Sequence, residues 1–177
     1  MAGVNESLPF ARRAPGVGTV ASYVILYAMI SLIRTDATDP DFSLLVRHLD
    51  ADLATRDGNE HGFYAQFNKI DFLRHVVLAY EENVPVACGA FKKFSQNSSE
   101  IKRMYTDPKS RGRGIATKVL RELERWAAEL GFETCVLETG KRQPEAISLY
   151  TKNGYHQIPN YGQYQGVDNS VCFEKKI

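Results

Sequence analysis

Glu100-Ile101-Lys102-Arg103-Met104-Tyr105, followed shortly by Arg111-Gly112-Arg113-Gly114-Ile115-Ala116, decides the fold of this chain. The first stretch alternates and reads as a strand. After the second, Ile115, Val119, Leu120, Leu123, Trp126, Ala127 and Leu130 recur at helical spacing. A basic, Gly-rich turn between a strand and a helix start is suited to cradle phosphate. The first N–H groups of a helix have no partner inside it, and the macrodipole adds partial positive charge there. Gly112 and Gly114 carry no Cβ, so backbone can approach a ligand closely. Arg111, Arg113 and Lys118 can add charge-assisted contacts to phosphate oxygens. No G-x-x-x-x-G-K-[ST] run occurs, and a dinucleotide fingerprint would need glycine where Thr117 stands.

Further on, Thr134-Cys135-Val136-Leu137-Glu138-Thr139 reads as a buried strand. Gln143-Pro144 then starts a helix, with proline at the first helical position, where its missing N–H costs nothing. That helix runs through Ala146, Ile147, Leu149 and Tyr150, and Asn153-Gly154 closes it. Arg111, Gly114 and Ala116 fill the pattern [QR]-x-x-G-x-[GA]. Ala146, Leu149, Tyr150, Gly154 and Tyr155 fill A-x-x-L-Y-x-x-x-G-[FY]. In this order, with one amphipathic helix and one strand between them, the two blocks resemble the signature of the GNAT superfamily, the acetyl-CoA-dependent N-acetyltransferases. The resemblance is specific over residues 99–158 and weaker outside.

The resemblance implies an α/β fold of the GNAT type: a mixed, mostly antiparallel sheet of six or seven strands flanked by about four helices. It implies direct transfer of acetyl from acetyl-CoA, the expected cosubstrate, to a primary amine in a ternary complex. The acceptor would be a small molecule such as an amino acid or polyamine, or a peptide amine. Tyr150 stands at the family's tyrosine position, where the hydroxyl serves as acid for the leaving thiolate. Glu138 lies in an otherwise apolar run, where a carboxylate is costly unless paired or functional. Some members that acetylate protein N-termini place a base-like glutamate at this spacing. Glu100 is a second candidate base, because family members also recruit an acid from that strand. By the same resemblance, Met104, Tyr105 and Thr106 would pair with the pantetheine arm like an added strand. Arg111 and the N–H groups of Gly112, Arg113, Gly114, Ile115, Ala116 and Thr117 would hold the pyrophosphate. Gln143 and Ala146 complete the expected cofactor contacts, Gln143 standing where many members carry asparagine. A non-catalytic CoA-binding regulatory domain is the competing class.

Composition agrees with one domain. The chain has 177 residues, long enough to bury a core. Its 22 basic and 21 acidic residues lack the positive excess of a nucleic-acid binder. Cys88, Cys135 and Cys172 fall in apolar stretches, which suggests reduced core thiols and a cytoplasmic setting. No Cys/His cluster has zinc spacing, so no metal is expected. A homodimer is one expected assembly. Residues 20–33 are largely apolar but diluted by Ser22, Tyr23, Tyr27 and Ser31. Residues 1–28 read as an extension, with a membrane or export signal as the alternative, and residues 29–177 as a single acetyltransferase domain.

Asp39-Pro40 reads as a helix cap and first turn, with Phe42, Leu45, Val46, Leu49 and Leu53 on one face. Residues 76–80 and 84–94 read as a hairpin turning near Glu82-Asn83. The acceptor is expected between residues 42–70 and the loop Tyr161-Gly162-Gln163-Tyr164. Strand parity sends Lys102 and Arg103 to opposite faces, so one of them could meet an acceptor carboxylate.

Overall fold

A computed structural model describes residues 29–58, 61–66, 70 and 72–177. The expected extension, residues 1–28, lies outside them. In chain order the elements are β1 (Ile30–Thr35), α1 (Pro40–Asp57), α2 (His61–Ala65), β2 (His75–Glu81) and β3 (Val84–Lys93). Then come β4 (Ser98–Thr106), α3 (Ile115–Glu129), β5 (Thr134–Gly140), α4 (Pro144–Lys152), β6 (His156–Ile158) and β7 (Ser170–Lys176). The strands form one seven-stranded sheet in the order β1-β2-β3-β4-β5-β7-β6. Only β4 and β5 run parallel. A parallel pair needs a long crossover, and α3 supplies it. This is the expected mixed, mostly antiparallel sheet with four helices among the described residues.

Local chemistry explains the main elements. Asp39 caps α1, its side chain accepting from the Asp41 N–H at 2.9 Å, and Pro40 occupies the first turn. Phe42, Leu45, Val46 and Leu49 are buried on one face of the sheet, against Val76, Leu78, Cys88, Ala90 and Tyr105. On the opposite face α3 buries Ile115, Val119, Leu120, Leu123 and Ala127 against Val77, Ala79, Phe91, Ile101 and Leu137. The β2–β3 turn places Glu82 and Asn83 at φ 50° and 67°, the two left-handed positions that a tight hairpin requires.

One strand breaks its parity. Cys88 pairs with Tyr105 and Ala90 with Lys102, so β4 carries one extra residue across from Gly89. Arg103 sits at that bulge with φ 58°, an uncommon conformation for a bulky side chain. The expected opposite facing of Lys102 and Arg103 is therefore corrected. Lys102 lies beside Ala90 on the α1 face, and Arg103 reaches Asp50 of α1 on that same face.

Gly89 completes the bulge. A Cβ there would lie 2.4 Å from Met104 Sδ, 2.8 Å from Leu123 Cδ1 and 3.0 Å from Val119 Cγ1. Gly89→Ala should thus cost about 1–3 kcal/mol by overpacking. Urea denaturation checks this, and an unchanged midpoint would show that the bulge is not held by close packing.

Candidate active site

The sheet opens at its centre. β4 and β5 pair only from Ser98/Thr134 to Glu100/Val136, although both strands continue past those positions. Beyond the fork, the β5-facing backbone groups of residues 101–106 have no strand partner. A cavity of about 400 Å³ fills the gap, a size suited to a small-molecule or cofactor arm. Met104, Tyr105 and Thr106 line one wall, and Glu138, Thr139 and Gly140 the other. Buried backbone polar groups call for partners, so an open fork of this kind suits an extended ligand with amide groups of its own. Thr106 Oγ1 is also buried without a hydrogen-bond partner.

At one end of the cavity lies the basic turn. Gly112 and Gly114 both adopt left-handed φ, 75° and 76°, and a Cβ at either would meet nothing within 4 Å. Gly114 is the N-cap of α3 and supplies no side-chain cap. The first N–H groups of α3 therefore face the cavity uncapped, which makes an anion site. Arg111, Gly112, Gly114, Ile115, Ala116 and Thr117 all line it. Arg111 Nε donates to the Thr106 carbonyl at 3.0 Å, and its guanidinium lies 3.6 Å from Asp52 of α1. Asp52 also accepts from Arg56 Nε at 3.1 Å, and Arg56 pairs with Glu145 of α4. This chain of charges links α1 to α4 and the basic turn. Arg113 behaves otherwise: its side chain forms a two-pronged pair with Glu81, and it does not line the cavity.

The candidate catalytic groups line the same cavity. Tyr150, on the last turns of α4, is 6% exposed and lines the cavity. Its ring packs edge-on to Tyr155 at 5.7 Å, and Asn153 Nδ2 ties the end of α4 to Thr117 at 3.3 Å. Burial, with the nearby Glu138 charge, pushes the Tyr150 phenol well above its ordinary value. Glu138 also lines the cavity, and Ser170 Oγ donates to its Oε1 at 2.6 Å. Gln143 and Ala146 line the same cavity, Gln143 as the N-cap of α4 with no side-chain capping bond.

A profile of the Acetyltransferase (GNAT) family matches residues 42–155, more than half of the chain. The chain belongs to that family. Among similar proteins, an IAA acetyltransferase of Azospirillum brasilense is 31% identical over 57% of this chain and 67% of its own length. An uncharacterized N-acetyltransferase of Bacillus subtilis, YsnE, is 32% identical over 56% of this chain and 67% of its own. A crystal structure from Klebsiella pneumoniae, described as an acyl-CoA N-acyltransferase, is 30% identical with a TM-score of 0.71. That likeness covers 85% of this chain and 99% of the other. A Thermoplasma acidophilum N-acetyltransferase in complex with coenzyme A superposes with a TM-score of 0.64 over 84% of this chain and 99% of that one. Its 17% identity speaks to the fold alone. This GNAT chain is an acetyl-CoA-dependent acyltransferase.

Among the expected site residues, Glu100 stands apart. It is 2% exposed, does not line the cavity, and is held by Lys92 at 3.1 Å, Lys102 at 3.4 Å and the Tyr161 hydroxyl at 3.2 Å. In this GNAT domain the cavity also takes in Leu49, Asp52 and Leu53 of α1, Tyr64 of α2, and Tyr164. Residues of α1 and α2 and Tyr164 thus line one cavity. Tyr64 and Tyr164 share a small apolar cluster with Cys172, a contact between distant segments that no motif signals. No group of three or more His, Cys, Asp or Glu among the described residues could hold a metal ion.

Proposed function

We propose that this GNAT chain is an N-acetyltransferase moving acetyl from acetyl-CoA to a primary amine by direct attack in a ternary complex. The observation that carries this reading is the open fork, whose cavity an uncapped helix start lines together with Glu138 and Tyr150. The pyrophosphate would lie on the N–H groups of residues 112–117, and the pantetheine amides would pair with backbone groups of 104–106 that face β5 and lack a strand partner. The thioester supplies the carbonyl carbon and a thiol leaving group.

Two chain groups then carry the proton traffic. A free alkylamine has a pKa of about 10, so it must lose a proton before attack at neutral pH. Glu138, steadied by the Ser170 hydroxyl, accepts that proton directly or through water. As the C–N bond forms and the C–S bond breaks, the Tyr150 hydroxyl donates its proton to the sulfur, and the second proton of the attacking nitrogen passes through water to the phenolate, restoring Tyr150. The raised pKa keeps the phenol protonated at working pH. A covalent acetyl-cysteine route is disfavoured. Cys172, beside Tyr164, is fully buried, and burial pushes its thiol up to about 11.

Initial-rate consumption of acetyl-CoA over an amine panel tests the reading, with rates rising in both substrates. Glu138→Gln should slow turnover by about 10²-fold or more near pH 7, and the deficit should shrink as pH rises and free amine becomes abundant. In the wild type, no fall in kcat should appear up to pH ~10, the ordinary tyrosine value, because a raised phenol pKa keeps the proton in place. A pH-independent Glu138→Gln deficit would remove the base role. No consumption with any amine, despite tight acetyl-CoA binding, would favour a regulatory CoA-binding domain.

A further inference from the structure

We propose that Lys102 reads a carboxylate on the acceptor, so that the substrate is an amine that also bears a carboxylate, an amino acid rather than a polyamine. This rests on the transfer reading above and names the substrate class of the same site. The acceptor end of the cavity is lined by Leu49, Leu53, Tyr64, Lys102, Glu138 and Tyr164. Lys102 and Glu138 are its charged members; Asp52 and Arg103 also line the cavity, but Arg56 and Asp50 respectively pair with them.

Lys102 lies just past the end of the β4–β5 pairing, and its side chain is 11% exposed. The ammonium has three N–H donors. One points to the Tyr164 hydroxyl at 3.2 Å and one to Glu100 at 3.4 Å. No described residue uses the third. Nor does Glu100 neutralise Lys102 by itself, because the same carboxylate also pairs with Lys92 at 3.1 Å. Two ammonium groups share the Glu100 carboxylate, so Lys102 is only partly paired by it. In a largely buried wall such a charge favours an anionic partner, and hydrogen bonds between charged groups are the strong ones.

Arg103 is not the reader. The bulge aims its guanidinium at Asp50, and its side chain is only 2% exposed. Glu138 offers the complementary charge across the fork, where the reacting amine must lie. An acceptor with an amine and a carboxylate satisfies both groups. A polyamine would instead bring a second ammonium toward Lys102, a like-charge contact.

The test compares free amino acids, their carboxamides and spermidine as acceptors, by kcat/KM, in the wild type and in Lys102→Gln. The wild type should prefer acid over matched amide by about 10- to 100-fold, the range of a charge-assisted bond. Lys102→Gln should bring that ratio to about one. Calorimetric titration of the CoA-saturated protein with N-acetyl amino acids and their carboxamides reads the same contact without turnover. Failure of this proposal is thereby distinguishable from failure of the transfer reading. If Lys102→Gln alone loses acetyl-CoA binding, the pair Glu100→Gln/Lys102→Gln, which removes the buried carboxylate with its ammonium, carries the comparison. Equal use of acids and amides by the wild type, faster turnover of spermidine than of any amino acid, or an acid preference that survives loss of Lys102 would overturn the proposal.

Discussion

Tyr150→Phe is expected to lower kcat by about 10²- to 10⁴-fold while leaving acetyl-CoA affinity nearly unchanged. The ring stays, so its packing on Tyr155 and Phe173 survives. Only the hydroxyl goes, and with it the proton for the departing sulfur. A loss in kcat without a loss in cofactor binding marks an interaction made mainly in the transition state. Calorimetry for affinity and steady-state rates for turnover separate the two. Wild-type turnover by this variant would remove Tyr150 from the mechanism and leave water as the proton source.

The second large effect belongs to the basic turn. Gly114→Val should abolish the thermal stabilisation that acetyl-CoA gives the wild type, since a ligand of the native state stabilises by RT ln(1 + [L]/Kd). Two causes act together. A β-branched residue resists φ 76°, and its side chain would stand in the open space where backbone must approach the pyrophosphate. The strain alone should lower the melting temperature without ligand, by about 1–3 kcal/mol of stability. Gly114→Asn, which tolerates left-handed φ better, should recover most of that stability but less of the ligand shift. An unchanged shift in Gly114→Val would mean that the cofactor binds elsewhere.

Much of this site was legible in the sequence because its signals are local. Asp39-Pro40 caps α1 with groups two residues apart, and the turn before α3 holds glycine at 112 and 114 in left-handed φ. The A-x-x-L-Y block fixes Tyr150 on one helix, whose start and stop residues are contiguous with it. Distant contacts were not legible. Glu100 reads as a candidate base from its strand position, yet Lys92 of β3 and Tyr161 of a far loop saturate it. Arg113 reads as a phosphate ligand by proximity, yet Glu81, on another strand, takes its side chain. Strand parity misplaced Lys102 and Arg103 because it assumes an unbroken pleat. Gly89, across from the bulge, was the one available hint, since glycine within a strand often marks one.

Acetyl-CoA labelled in its acetyl group tests direct transfer. Wild-type protein is mixed with the labelled cosubstrate, with and without an accepted amine, then quenched and separated. Label is expected on the amine when amine is present, and none on the protein in either case. Label held covalently by the protein in the absence of amine would contradict direct transfer.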